Sequence, residues 1–302
     1  MTGKRVLVTG VGGFVGRALA LGLADLGWRV IALDRAFDTA PEDEGIRSVT
    51  AELSHGVPTD VSEVDLVVHA AWVTTDPGAL GVTHADHVAQ NLRPLLAVLE
   101  YAARTSPAAF VFLSSSGVFA AEDATEGLTD AHDPTGSSPY AAAKRAGELL
   151  VPAALDERTA IHVVRLGYLF GPGEVGRPSR QAVSPVAGWL EAARDGRPLS
   201  VRSDDPPRDW TFTSDLAAAL ERVVDGSAAG RPVHLASPHV FSDRAFATLI
   251  ASQVGGVAPA TSPASGRVKP PMVPSDIPAL RGFGWTDPAA GVQALLAEEV
   301  AT

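Results

Sequence analysis

Tyr140 and Lys144 stand four residues apart in the run Ser-Pro-Tyr-Ala-Ala-Ala-Lys, in a chain with only three tyrosines and three lysines among its 302 residues. On a helix, positions i and i+4 share a face, so phenol and ammonium can point into one cleft. A phenol with a pKa of about 10 is a poor base at neutral pH. A neighbouring positive charge favours the phenolate, and the pair could then pass a proton to or from a hydroxyl or carbonyl. Upstream, an apolar run closes on Ser114-Ser115-Ser116-Gly117. A serine hydroxyl at the carboxyl end of a strand can polarise a substrate oxygen there.

A second constellation lies at the N-terminus, in Thr9-Gly10-Val11-Gly12-Gly13-Phe14-Val15-Gly16. Glycines at 10, 13 and 16 allow a tight turn, close backbone approach to a pyrophosphate, and close helix–strand packing. The N–H groups of a helix opening at Phe14 and Val15 would face the phosphates. Asp34 follows Gly10 by 24 residues, at the end of the next apolar run. A carboxylate there accepts from ribose hydroxyls and repels a 2′-phosphate, which favours NAD. Arg35 beside it could instead pair with that phosphate, leaving tolerance of NADP open.

These residues need a frame. Short apolar runs at 5–9, 29–33, 46–51, 65–70, 109–114 and 161–166 alternate with helical patterns at 14–26, 84–104 and 138–155. That alternation predicts an α/β fold, a doubly wound parallel sheet of Rossmann type. The segment from Val49 to Asp65 is too short for a full crossover and reads as a loop with an irregular turn. Past Leu169 the pattern changes at Phe170-Gly171-Pro172-Gly173. Helices are expected at 186–194, 214–224, 242–253 (capped by Ser242) and 288–299, a strand at 231–236, and loop from 255 to 274. Residues 1–170, with 209–236 returning to them, form the expected cofactor domain. Segments 171–208 and 237–302 form a smaller substrate-binding lobe.

Composition narrows the class. A formal net charge of −11 argues against a nucleic-acid partner, and no run approaches the length of a membrane span. The chain has no cysteine, which excludes disulfides, thiolate catalysis and zinc–thiolate sites. His69 has no second ligand at metal-site spacing, His84 and His87 lie three apart on what reads as an exposed helix start, His132 with Asp130 and Asp133 reads as a solvated loop, and no metal is expected. The expectation is a soluble, cytoplasmic protein.

Taken together, these motifs resemble the extended short-chain dehydrogenase/reductases, the NAD-dependent epimerase/dehydratase family. The likeness runs through the glycine loop, Asp34, Asp65-Leu-Val-Val-His69-Ala70-Ala71, Asn91, Ser115, Tyr140, Lys144, Arg165, Gly171-Pro172-Gly173 and Arg208 to Asp215. It implies that Tyr140 is the general acid/base and that Ser115, 25 residues before it, orients the reacting oxygen. Lys144 would hold the nicotinamide ribose and lower the tyrosine pKa. Ala70 and Ala71 would flank the NAD cofactor, Glu52 and Leu53 would lie near its adenine, and Asn91 would be a structural or proton-relay residue. Ser116, Arg177 and Arg208 are candidate substrate contacts. The helices around Asn91 and Tyr140 imply a homodimer.

The resemblance implies redox chemistry on a sugar-like small molecule. Nucleotide-sugar epimerisation at C4, by transient hydride transfer, stands slightly ahead. The alternative is a dehydrogenase or ketoreductase on a sugar acid or other hydroxylated molecule, and a non-catalytic NAD-binding protein is the remote third. A dehydratase is disfavoured, because Ser116 and Gly117 occupy the places where such enzymes carry an Asp-Glu pair. Arg177, Arg180, Arg202, Arg267 and Lys269 are available cations, but none is a clear diphosphate ligand.

Overall fold

The computed structural model describes residues 3–226, 231–254, 257–264 and 266–300. Six strands alternate with helices in the first half: β1 (Arg5–Thr9), α1 (Phe14–Asp25), β2 (Arg29–Asp34), β3 (Ile46–Thr50), β4 (Leu66–His69), α2 (Pro77–Leu80), α3 (His84–Thr105), β5 (Ala109–Ser115), α4 (Pro139–Ala154) and β6 (Ala160–Leu166). There follow β7 (Tyr168–Phe170), α5 (Pro185–Arg194), β8 (Ser200–Arg202), β9 (Pro207–Phe212), α6 (Leu216–Asp225), β10 (Val233–Leu235), β11 (Val240–Ser242), α7 (Asp243–Val254), β12 (Ala260–Ser262) and α8 (Pro288–Val300). Among the described residues no helix is long and apolar enough to cross a membrane.

The main sheet has seven strands in the order β3-β2-β1-β4-β5-β6-β10, all parallel. Successive side chains of a strand point to opposite faces, so these strands must be apolar on both sides. Val6 and Val8 join one core with Val30, Ala32, Leu66 and Val68. Leu7 joins the other, with Ile31, Leu33, Val67, Phe110 and Phe112. The strand order reverses direction between β1 and β4. That switch point is where an open α/β sheet binds its ligand.

A third apolar cluster, around Phe170, Trp189, Trp210 and Phe246, lies against a separate sheet of order β11-β9-β7. The segment 209–236 is therefore divided. Its first residues, in β9, pair with β7 and β11, whereas β10 pairs with β6 in the main sheet.

Several expectations need adjustment. The irregular turn between β3 and β4 is a short 3-10 helix, Leu53–His55. The stretch read as loop from 255 to 274 contains β12, which runs parallel to β8; residues 255, 256 and 265 of that stretch lie outside the described ones. Like β7, β8 and β11, β12 is three residues long, too short for a period-2 pattern to register.

Candidate active site

At the switch point a cavity of about 800 Å³ runs from the glycine loop to Tyr140 and Lys144. Every cofactor position expected from the sequence lines it, including Arg35, Glu52, Leu53, Ala70, Ala71 and Asn91. Gly10 has φ +78°, in the left-handed region, and a Cβ there would lie 2.5 Å from the Ala71 nitrogen. A Cβ on Gly16 would come within 2.1 Å of the Gly10 oxygen. Both positions therefore require glycine.

No side chain caps α1 at Gly13, so the N–H groups at its first turn, Phe14 and Val15 among them, point at the cavity without an intrahelical acceptor. The Asp34 carboxylate accepts from the Gly12 N–H at 2.9 Å and from the Ala36 N–H at 3.3 Å. One side of the groove thus offers donors and a positive helix end, and the far rim offers a carboxylate.

The reacting groups come from three elements. Ser115 ends β5, and its Oγ accepts from the Gly117 N–H at 3.0 Å. Tyr140 and Lys144 sit on the first turns of α4, which is capped by Ser138, whose Oγ accepts the Ala141 N–H at 3.1 Å. The Lys144 Nζ donates to the Leu113 carbonyl at 2.6 Å and lies 3.8 Å from the centre of the Trp72 ring. Burial brings its pKa down to about 7, against the pull of Glu148.

The Tyr140 hydroxyl behaves differently from the expectation that Lys144 would lower its pKa. Burial pushes it up, while the Ser115 hydroxyl and the Arg180 charge pull the other way. The ammonium of Lys144 is turned to Leu113 and Trp72 and is not among the groups acting on the phenol. In this arrangement Tyr140 holds its proton.

The candidate substrate contacts fall elsewhere. Arg208 is not among the residues lining the cavity: its guanidinium is buried on both Asp243 oxygens, at 2.5 and 2.9 Å, and stacks 4.3 Å from the Tyr168 ring centre. Arg177 lines the cofactor cavity and pairs with Asp38 at 3.0 Å. Ser116 is buried, with its carbonyl oxygen accepting from Lys269 Nζ at 2.5 Å. Asn91 clamps the strand end, accepting from the Val73 N–H at 2.7 Å and donating to the Val73 oxygen at 3.2 Å, a structural role. Glu52 caps the following turn, accepting from the Ser54 N–H at 3.1 Å.

Sequence reasoning passed over Trp72, and it named Arg180 and Lys269 only as available cations without placing them. Trp72 walls the cavity beneath Lys144; its position just past the end of β4 was the available signal. Arg180 sits over Phe14, 5.1 Å from the ring centre, and pairs with Glu174. Lys269 comes from a stretch with no periodicity to place it. Among the described residues no cluster of His, Asp or Glu is grouped as a metal site would be.

Comparison with known proteins agrees with this geometry. A family model described as NAD dependent epimerase/dehydratase family matches residues 6–240. A 2-alkyl-3-oxoalkanoate reductase of Stenotrophomonas maltophilia (strain K279a) is 29% identical over 262 residues, covering 83% of this chain and 76% of the relative. A dTDP-4-dehydrorhamnose reductase of Mycolicibacterium smegmatis is 28% identical over 252 residues, 81% of this chain and 68% of the relative. The solved structure of the epimerase Mth375 from Methanothermobacter thermautotrophicus superposes with a TM-score of 0.85 at 24% identity, over 99% of this chain and 93% of that one. The glycine turn, the open helix end and Asp34 provide donors for a pyrophosphate and an acceptor for ribose hydroxyls, so the residues present fit NAD. The chain belongs to the NAD-dependent epimerase/dehydratase family, as an enzyme whose cofactor is NAD.

Proposed function

We propose that Tyr140 is the general acid/base in the interconversion of a secondary alcohol and a ketone on a small hydroxylated substrate. NAD, when bound along the groove, supplies or accepts the hydride. Ser115 orients the reacting oxygen, and Tyr140 gives up or takes the proton on it. Lys144 holds the ribose side of the site, with Trp72 and the Leu113 carbonyl fixing its ammonium. The cluster around Phe170, Trp189 and Trp210, together with the C-terminal segments, forms the lobe that closes on substrate.

Two outcomes share this chemistry. Epimerisation at C4 of a nucleotide sugar, the outcome that stands ahead from sequence, requires cations for a diphosphate. Net reduction of a small ketone needs the same proton donor but no diphosphate site. The phenol serves both outcomes, since each includes protonation of an alkoxide as hydride reaches the ketone carbon; the pairing of the nearby arginines is what favours the second. Arg177, Arg180, Arg202, Arg208 and Arg267 each already pair with a carboxylate. By name the curated relatives include three reductases, two epimerases and a dehydratase, a mixture compatible with either outcome. On the pairing of the arginines, net reduction is the reading we adopt.

The test is to release and identify the bound nucleotide, then to follow NADH on adding ketone substrates. Stoichiometric oxidation of NADH supports net reduction. Retained NAD with a stereoisomer formed and no net consumption would instead establish epimerisation.

A further inference from the structure

Between β7 and α5 the chain makes a tight hairpin: the Arg177 N–H donates to the Arg180 oxygen at 2.9 Å, and the Arg180 N–H to the Arg177 oxygen at 2.9 Å. Its tip, Pro178-Ser179, docks on the segment that follows β4. The Ser179 oxygen accepts from the Thr74 and Thr75 N–H groups at 2.9 and 3.2 Å, and the Pro178 oxygen accepts from the Thr75 hydroxyl at 2.9 Å. The Gln181 N–H completes the joint by donating to the Thr75 Oγ at 2.9 Å. Thr75 is itself buried, and its carbonyl oxygen meets His87 Nε2 at 3.1 Å. On the other side of the hairpin the Arg177 guanidinium pairs with Asp38 at 3.0 Å, in the loop that leaves β2.

These two attachments stand on opposite sides of β1, because β2 and β4 are its neighbours in the sheet. Adjacent strands are about 4.8 Å apart, so the hairpin bridges about 10 Å across the carboxyl end of β1. The glycine loop leaves β1 at that place, and Gly12, Gly13, Arg177 and Ser179 all line the one cavity. Arg180 adds a third contact, 5.1 Å from the Phe14 ring centre at the start of α1. The path from Asp34 to Tyr140 runs beneath this bridge.

Its attachments differ in strength. The β4 end is held by several hydrogen bonds around a buried threonine. The base is closed by Glu174, whose buried carboxylate accepts from the Ser184 N–H at 2.8 Å and pairs with Arg180. The β2 end has the single ion pair, in which the Asp38 side chain is 73% exposed and that of Arg177 24%. An ion pair with an exposed partner contributes little, so this end separates first.

We propose that residues 177–180 form a strap over the cofactor groove and that the Arg177–Asp38 pair is its latch, opening to let NAD in and out while the Thr75 end stays docked. Arg177 then acts on the cofactor through the position of the strap, as a positioning residue. The proposal is independent of the reaction at Tyr140, since epimerisation and net reduction both begin from a bound cofactor.

Stopped-flow mixing tests this with NADH as the probe. Association is followed by NADH fluorescence, and release by chasing the NADH complex with excess NAD. Arg177→Met and Asp38→Asn should each raise both rates about two- to fivefold, the span of one exposed pair. The dissociation constant should then stay within about twofold of the wild type, because a latch gates entry and exit alike. Combining the two substitutions should do no more than either alone, since they break the same contact. Unchanged rates in either single variant, or effects that multiply in the double variant, overturn the proposal. Faster release with unchanged association would make Arg177 a direct cofactor contact, and that too overturns the latch. The Asp38 side chain stands at the surface, so Asp38→Asn decides the matter even where Arg177→Met folds poorly.

Discussion

Gly117 and Tyr140 stand in contact: a Cβ added to Gly117 would lie 2.7 Å from the Tyr140 Cε1 and 3.2 Å from the Ser115 Oγ. The absent side chain sets the placement of both proposed reacting groups. The ring cannot remain where it is once a methyl occupies that space. Gly117→Ala should leave NAD affinity unchanged and reduce turnover about tenfold to a hundredfold, the scale of a misplaced reacting group. Steady-state kinetics beside a cofactor titration checks this. Unchanged turnover would show that the ring edge and this turn do not set the geometry.

Tyr140→Phe removes the proton donor and keeps the ring. Turnover should fall by at least about a hundredfold, the contribution of a positioned acid/base, with cofactor binding retained. Near wild-type turnover would falsify the assignment. The phenol is held protonated by burial, so ketone reduction should proceed at neutral pH without a prior ionisation of this residue.

Asp34 ties the glycine loop to the end of β2 through the Gly12 N–H at 2.9 Å. We propose its carboxylate as the acceptor for the ribose hydroxyls and the group that repels a 2′-phosphate. NAD should bind at least about tenfold more tightly than NADP, and Asp34→Ala should weaken NAD by about tenfold or more. Tryptophan fluorescence, with Trp72 in the cavity wall, reports both titrations. Matching affinities for the two cofactors would mean that Arg35 outweighs Asp34.

The frame and the cofactor groove were legible because each rests on a local pattern. Six apolar runs gave the main sheet through β6, and a glycine triplet between a strand and a helix marked the nucleotide end. The two small sheets were not legible, since β7, β8, β11 and β12 have three residues each and are held by pairing across long stretches of sequence, β7 and β11 on β9 and β12 on β8. Charge partners were hidden for a related reason. Arg208 meets Asp243, and Lys269 meets Ser116, only across long stretches of sequence. Motif spacing therefore named Arg208 as a substrate contact, whereas the fold buries it in an ion pair. The Tyr140 pKa was misjudged because spacing along α4 shows that Lys144 can share its face, not which acceptor the ammonium chooses.

Leu96 on α3 and Leu149 on α4 are 50% and 75% exposed, and the two helices pack against each other. An apolar pair on one helical layer is suited to a second copy of the same layer, as expected of a homodimer. Light scattering should give twice the chain mass, and Leu149→Glu should shift it to the monomer. A monomeric wild type would count against the dimer.

Stability should fall as the solution is acidified below neutral, and the sign follows from imidazoles whose pKa burial lowers, His69 and His234 foremost. Burial lowers the His69 pKa to about 3, with Lys144 adding to the effect. Burial and then the Arg165 charge lower that of His234 to about 4. Between these values and the ordinary histidine pKa of about 6.5, the unfolded chain binds protons that the folded one refuses. Stability therefore rises with pH across that window and is lost on descending it. Asp209 acts in the opposite sense, because burial raises it to about 6; its contribution is complete at low pH and fades as pH rises towards that value. Burial also lowers the His162 pKa, so one carboxyl stands against three imidazoles and the net slope is positive. His234 meets the Val273 oxygen at 3.1 Å and Arg165 at 3.4 Å, contacts that an amide can mimic. His234→Gln should therefore retain the fold and flatten the slope between pH 4 and 6.5 by up to about 1.4 kcal/mol per pH unit, one proton's worth. Urea unfolding of both proteins across that range measures it, and parallel curves would mean that His234 titrates alike in the folded and unfolded chains.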